Sequence, residues 1–404
     1  MPEAVIVSAA RTPIGRANKG SLKDFRPDDL TAFIAQAALD KIPALDPKDV
    51  DDFYLGVGLP GGEAGNNMAR IVTTLMGTEI PGATITRYCS SSVQTSRMAF
   101  HAIKAGEGDV FISAGVETVS RFQFGTSDHI PNTKNPLFAD AQVRTEEYAQ
   151  GGKVWHDPRE DGLLPDVYIA MGQTAENVAS IRGLKREDLD HFGARSQNLA
   201  EKAIADGFWE REITPVTLAD GTVVSKDDGP RAGVTYEALS ELQPVFRPDG
   251  VVTAGNCCAL NDGAAAVVIM SDTKAAELGL TPLARIVATG VSGLSPEIMG
   301  LGPVEATRNA LKHANMTIDD IDLAEINEAF AAQVLPSAED LGIPIEKLNV
   351  NGGAIAVGHP FGMTGARLQN TLINSLQWHD KSTGLITMCV GGGQGMAMIL
   401  ERLS

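Results

Sequence analysis

One cysteine stands in the run Thr86-Arg87-Tyr88-Cys89-Ser90-Ser91-Ser92-Val93, between an apolar approach (Ala83, Ile85) and a helical repeat through Met98, Ala99, Ala102 and Ile103. A thiol at the mouth of a helix is a candidate nucleophile, because free N–H groups and the positive end of the helix dipole favour a thiolate. The three serines suit the cap of that helix. A free cysteine is also often a small buried side chain, and this run alone leaves both readings open. A free thiol, with a pKa of about 8.5, is only slightly ionised at neutral pH, so a nucleophilic Cys89 also needs a base.

Three other places could join it. His359 closes the run Gly352-Gly353-Ala354-Ile355-Ala356-Val357-Gly358-His359-Pro360 and is a candidate base. Cys389 opens Cys389-Val390-Gly391-Gly392-Gly393, where glycines let a backbone N–H approach a ligand, although a buried strand position would also suit a cysteine. Asn327, in Asn327-Glu328-Ala329-Phe330, could hold a water or an oxyanion, or serve as an ordinary turn asparagine. Each lies past the carboxyl end of an expected strand or at the start of a helix, where open α/β sheets bind ligands. Cys257-Cys258 reads as buried or pocket-lining, since two vicinal thiols with no CxxC pair do not make a metal site.

The elements that must position these residues follow a repeated order. In the first part, Glu3 to Ser8 and Val50 to Val57 read as strands, Leu30 to Leu39 and Asn67 to Leu75 as helices, and Asp109 to Gly115 as a central strand. From Leu283 the order starts again: a strand over Ala284 to Ala288, a helix over Val304 to Ala314, a strand over Ile321 to Ile326, a helix over Ala329 to Leu341, the His359 loop, a helix with Leu368, Leu372 and Leu376, and a strand over Leu385 to Cys389. Lys48-Asp49-Val50-Asp51-Asp52-Phe53 answers Asp319-Asp320-Ile321-Asp322-Leu323 in pattern. If the copies pack as pseudo-twofold mates, Cys89 of one faces His359 of the other. Between them lies a more polar stretch with helices over Met171 to Ile181 and Arg186 to Ala205, and a hairpin whose Asp220-Gly221 suits a type I′ turn. Ala264 to Met270 returns to buried strand character. The expected organisation is a first half of residues 1–118 with 251–271, an inserted region 119–250, and a second half 272–404.

Composition bounds the function. A chain of 404 residues suggests two or three domains, and its 42 glycines suit an α/β protein with tight turns. A formal net charge of −18 argues against nucleic acid as a partner. No apolar run approaches the roughly 18 residues of a membrane span. The start of the chain reads as a strand rather than a signal peptide, and its end is not a peroxisomal address. Four cysteines are not a disulfide framework and point to a reducing compartment, so a cytoplasmic location is expected.

At six places, in one order over essentially the whole chain, the sequence resembles the thiolase family, the acetyl-CoA acyltransferases. They are Arg87-Tyr88-Cys89-Ser90-Ser91; Met171-Gly172-Gln173-Thr174-Ala175-Glu176-Asn177; Thr253-Ala254-Gly255-Asn256 with Asn261-Asp262-Gly263-Ala264-Ala265; Asn327-Glu328-Ala329-Phe330-Ala331; Gly352 through Gly365; and Cys389-Val390-Gly391-Gly392-Gly393. The resemblance implies a duplicated α/β fold, a five-layer αβαβα core with an inserted loop domain. It implies Cys89 as the acyl-carrying nucleophile, His359 as its base and Cys389 as the acid/base for the acetyl-CoA enolate. One oxyanion hole would come from His359 and a water on Asn327, another from the backbone N–H groups of Cys89 and Gly391. Coenzyme A enters as substrate rather than as a resident cofactor, in a channel of Met171, Arg231, Phe246, Cys258, Leu260 and Phe330. No metal is implied.

The departures bear on substrate. Ser92 stands where many members have glycine, Cys257-Cys258 where Ala-Ser is usual, and Ala238 where some have serine. Ala170 stands where short-chain acetoacetyl-CoA thiolases tend to have histidine, and with Met363-Thr364 this leans toward a degradative 3-ketoacyl-CoA thiolase. The alternatives are an acetoacetyl-CoA thiolase working in the condensing direction and an idle acyl-CoA binding protein on the same fold. Ketosynthases share the fold with a Cys-His-His set, against which Asn327 and Cys389 argue. A homodimer or homotetramer is expected, with the hydratase and dehydrogenase of β-oxidation as further candidate partners.

Overall fold

The structure, a computed structural model, describes residues 2–124 and 130–404. Its first half runs β1 (Ala4–Arg11), β2 (Gly15–Arg16), α1 (Pro27–Asp40), β3 (Asp52–Val57), α2 (Met68–Leu75), β4 (Gly82–Ile85), α3 (Ser91–Ala105) and β5 (Val110–Thr118). The intervening stretch holds α4 (Ala139–Ala149), α5 (Met171–Arg182), α6 (Arg186–Ala205), β6 (Val216–Thr217), β7 (Val223–Val224) and α7 (Tyr236–Ser240). Then come β8 (Asn261–Ser271), α8 (Asp272–Glu277), β9 (Ala284–Gly293), α9 (Gly302–Ala314), β10 (Leu323–Ile326), α10 (Ala331–Leu341), α11 (Ala354–Val357), α12 (Thr364–Trp378), β11 (Thr383–Val390) and β12 (Gln394–Arg402).

Strand pairing displays the repeat. In the first copy β3 runs parallel to β5, β5 antiparallel to β8, and β8 antiparallel to β1. In the second, β10 runs parallel to β11, β11 antiparallel to β12, and β12 antiparallel to β9. A matching carboxylate stands at the root of each copy. Asp51 accepts hydrogen bonds from the N–H groups of Asp109 and Val110, at 2.7 and 2.9 Å. Asp322 accepts from Ser382 and Thr383, at 2.9 and 3.0 Å. The two sheets join edge to edge where Val5 and Ile6 of β1 pair with Arg285 and Ala284 of β9.

The layers follow from which faces are apolar. One outer core packs α1 and α2 on β1, β3, β5 and β8 through Leu30, Ile34, Val72, Leu55 and Val268. The central core holds α3 and α12 between the sheets, with Ile6 and Ile269 from one and Ile386 and Met398 from the other. The second outer core sets α9 and α10 on the other sheet through Val304, Val334 and Leu385, and α5 and α6 join it through Ala175 and Phe192. This is the five-layer α/β arrangement expected. α3 and α12 approach closely at Gly365, where any Cβ would collide with the backbone of Val93.

Several elements differ from expectation. β1 extends to Arg11, whose guanidinium is buried in a network with Glu212 (2.5 Å) and Asp227 (2.7 Å) instead of lying in a loop. The hairpin of the intervening stretch shrinks to two residues a side, and its turn is not type I′, because Gly221 has a positive φ and Asp220 does not. α10 begins at Ala331, since Phe330 is extended and bridges Cys257. β12 was not anticipated: Gly391-Gly392-Gly393 is the tip of a hairpin that returns as a long buried strand, with Gly392 and Gly393 at positive φ.

Candidate active site

Cys89 lies in a single 3-10 turn, Tyr88–Ser90, between β4 and α3. Tyr88 takes φ +42°, rare for a bulky residue, and this sharp reversal presents the cysteine at the helix entrance. The serines do not cap α3 as expected. Ser91 Oγ donates to Tyr88 O (2.6 Å) and accepts from Arg87 N (2.9 Å), while Ser90 Oγ donates to Arg87 O (3.2 Å). They lace the reversal shut. The thiol is not the standing thiolate that its helix position suggests. Burial pushes Cys89 up to about 12, the Glu117 carboxylate adds to this, and a hydrogen bond from the N–H of Gly391 opposes it.

Cys389 is fully buried in β11, where burial and the nearby Cys89 hold its thiol well above the usual range. Cys258 is raised by burial and by Cys257, Cys89 and Cys389. Three thiols from distant parts of the chain therefore share one neighbourhood. Asn327 follows β10 directly, with its N–H bonded to Thr387 O (3.0 Å). Both polar atoms of its buried carboxamide lack a partner among the described residues. Such groups are costly to bury unless a water or ligand meets them. The adjoining Glu328 pins this corner by accepting from Ser196 Oγ (2.6 Å), Asn349 Nδ2 (2.8 Å) and Ile355 N (3.1 Å).

His359 sits between α11 and α12, and its tautomer follows from its partners. Thr364 Oγ1 donates its one proton to Pro360 O (2.7 Å), so toward His359 Nδ1, 2.6 Å away, it can only accept. Nδ1 therefore carries the hydrogen, and Nε2 is a buried acceptor without a partner among the described residues. Burial, then the charge of Arg367, lowers the imidazole to about 3, so it rests neutral. The His359 N–H donates to Asn261 Oδ1 (2.9 Å), which anchors the loop to β8.

Glu117, at the end of β5, ties the halves together. Its carboxylate accepts from Gly58 N (2.7 Å), Leu59 N (3.3 Å) and Gly362 N (2.9 Å). Burial raises it to about 7 against those three bonds. In the sequence Thr364 and Asn261 stand out only within motifs, without these positioning contacts, and Glu117 does not stand out at all. The available signals were a hydroxyl five residues beyond the histidine and a lone acid closing an apolar strand.

A cavity of about 600 Å³ opens over this centre, lined by Cys89, Tyr88, Leu59, Met171, Phe361 and Gly391 among others. The volume is in the range of small-molecule sites. Met171 thus reaches the site. Phe246 packs edge-on to Phe330 at 6.2 Å, and Cys258 N bonds to Ala329 O (3.1 Å), so these three are neighbours, but none of them is among the residues that line this cavity. Arg231 and Leu260 are exposed and do not line this cavity. Arg231 is held by its N–H to Gln197 Oε1 at 2.9 Å.

Residues 4–273 match the thiolase N-terminal domain and residues 280–402 the thiolase C-terminal domain. The chain belongs to the thiolase family. It is 41% identical over 415 residues to a 3-ketoacyl-CoA thiolase of Bacillus subtilis (strain 168), covering 99% of this chain and 100% of that one. It is 42% identical over 411 residues to a 3-oxoadipyl-CoA/3-oxo-5,6-dehydrosuberyl-CoA thiolase of Escherichia coli (strain K12), covering 100% of both. Human mitochondrial 3-ketoacyl-CoA thiolase in complex with CoA superposes with a TM-score of 0.84 at 36% identity, over 99% of this chain and 98% of that one. This thiolase is accordingly an enzyme, an acyltransferase on the thiolase fold. Among its described residues, no helix is long and apolar enough to cross a membrane.

Proposed function

We propose that this thiolase cleaves 3-ketoacyl-CoA with free CoA to give acyl-CoA and acetyl-CoA, as a degradative 3-ketoacyl-CoA thiolase. The observation that carries the reading is a protonated Cys89 on a cavity whose Phe361 wall packs 5.2 Å from a neutral His359, with the Nε2 acceptor of His359 unpartnered among the described residues. Such a pair stores no charge at rest and moves one proton when a carbonyl arrives. His359 Nε2 takes the Cys89 proton, and the sulfur adds to the 3-keto carbon. The C2–C3 bond breaks, and the acetyl-CoA enolate takes a proton from Cys389. The thiol of free CoA then gives a proton to the Cys389 thiolate and attacks the acyl thioester, and Cys89 leaves as thiolate to recover its proton from His359. The oxyanion donors on this reading are the Cys89 and Gly391 N–H groups at one carbonyl, and His359 with a water on Asn327 at the other.

Met171, Phe246, Cys258 and Phe330 support a pantetheine channel on this reading, with Leu260 and Arg231 farther out toward the nucleotide. The division into two halves around an inserted region 119–250 belongs to the same proposal, as do a cytoplasmic location, a homodimer or homotetramer, and work beside a hydratase and a dehydrogenase of β-oxidation. The condensing direction uses the same residues, and Ala170 at the cavity wall weighs against a dedicated acetoacetyl enzyme. The test is intact mass after incubation with 3-ketoacyl-CoA lacking free CoA. An acyl adduct that disappears in Cys89→Ala supports the proposal, and no adduct at any chain length sinks it.

A further inference from the structure

The wall of the cavity is not uniform. Leu59, Val167, Ile169 and Phe361 face it with carbon, and Lys134 is the one charged residue among its described lining. The chain carries 51 acidic against 33 basic residues, so a cation at this cavity runs against its charge balance. Lys134 is exposed, and two neutral groups orient its ammonium group. Its Nζ lies 5.5 Å from the centre of the Tyr168 ring and donates to Gln142 Oε1 at 3.3 Å. The Tyr168 hydroxyl accepts from the N–H of Asn135 (3.0 Å), and its ring packs edge-on against Phe138 at 5.5 Å. The turn that carries Lys134 is thus fastened to the residue beneath its ammonium group. Both partners of Nζ are neutral, so the charge is oriented but not cancelled by them.

We propose that Lys134 reads the far end of the acyl chain, and that the preferred substrates are 3-ketoacyl-CoA thioesters whose chain ends in a carboxylate. The apolar wall takes the methylenes, and the ammonium group takes the terminal anion as a charge-assisted hydrogen bond. This inference rests on the thiolase reading and adds the substrate class to it.

The experiment compares kcat/KM for 3-oxoadipyl-CoA with 3-oxohexanoyl-CoA, which have equal carbon counts, and repeats the pair at eight and ten carbons. The wild-type enzyme favours the carboxylate-ended member by tenfold or more at one length at least. Lys134→Met collapses that ratio toward one, Lys134→Arg retains most of it, and added salt weakens it. A wild-type ratio near one at all three lengths, or a ratio that survives in Lys134→Met, overturns the inference. Failure to cleave any of the six substrates counts against the thiolase reading instead, so the two outcomes are distinct.

Discussion

Ser92 caps a helix to which it does not belong. Its hydroxyl, in the first turn of α3, accepts from the N–H of Ala366 at 2.9 Å, in the first turn of α12. No side chain of the α12 segment itself caps that helix, so Ser92 meets one of its orphan donors across the central layer. The residue that departs from the common pattern beside Cys89 therefore fastens the cysteine helix to the helix that follows His359.

Ser92→Ala should cost about 1–2 kcal/mol, by leaving the Ala366 N–H buried without an acceptor. Chemical denaturation measures this. Ser92→Val should cost more, because Gly115 leaves no room for a larger side chain against Ser92.

Thr364→Val should release the His359 tautomer and, on the proposed mechanism, lower kcat by roughly tenfold to a hundredfold, the size of loss when a partner that orients a metal-ligating histidine is removed. Thr364→Ser should recover most of it. Steady-state rates with KM resolved separately test this, since a general loosening of the pocket would move KM first.

The rate of Cys89 alkylation by iodoacetamide should climb about tenfold per pH unit from 7 to 9 without a plateau, because the thiol is raised to about 12. His359, lowered to about 3, adds no step in that range. A plateau near neutrality would mean a standing thiolate–imidazolium pair and would contradict the resting state proposed.

Glu117 should make the fold less stable as pH rises. Its folded pKa of about 7 lies above its ordinary value of 4.5, so the native state binds the extra proton between them. Its contribution is complete below about 4.5 and is lost as pH rises through 7, by up to about 3 kcal/mol. Glu117→Gln keeps one oxygen for Gly58 and Gly362, so its unfolding free energy should vary less between pH 5 and 8. Equal pH profiles for the two proteins would refute this.

Much of the frame was legible because hydrophobic periodicity is local. β3, β5, α6 and the duplicated order could be read off residue by residue. Cys89, His359, Asn327 and Cys389 stand out as candidates because each closes or follows an expected strand, or opens a helix. What escaped depends on distant partners. Nothing near Glu117 names Gly362 as its donor, 245 residues away. The Ser90 and Ser91 side chains turned inward because Tyr88 adopts a left-handed backbone, which composition does not announce. The thiol state of Cys89 stays open in the sequence for a related reason: burial, a property of the whole fold, outweighs the helix end, a property of one segment.

Asp51 and Asp322 hold the same pair of backbone donors at the root of each sheet, whereas the opposite strand ends carry the Cys89 turn after β4 in one copy and Asn327 after β10 in the other. The structural likeness of the copies is thus concentrated at the end remote from the cavity. Each strand has a foundation that repeats and a tip that is free to diverge. That division along the strand is how a symmetric scaffold comes to carry a different polar group at each tip, as the proposed mechanism requires.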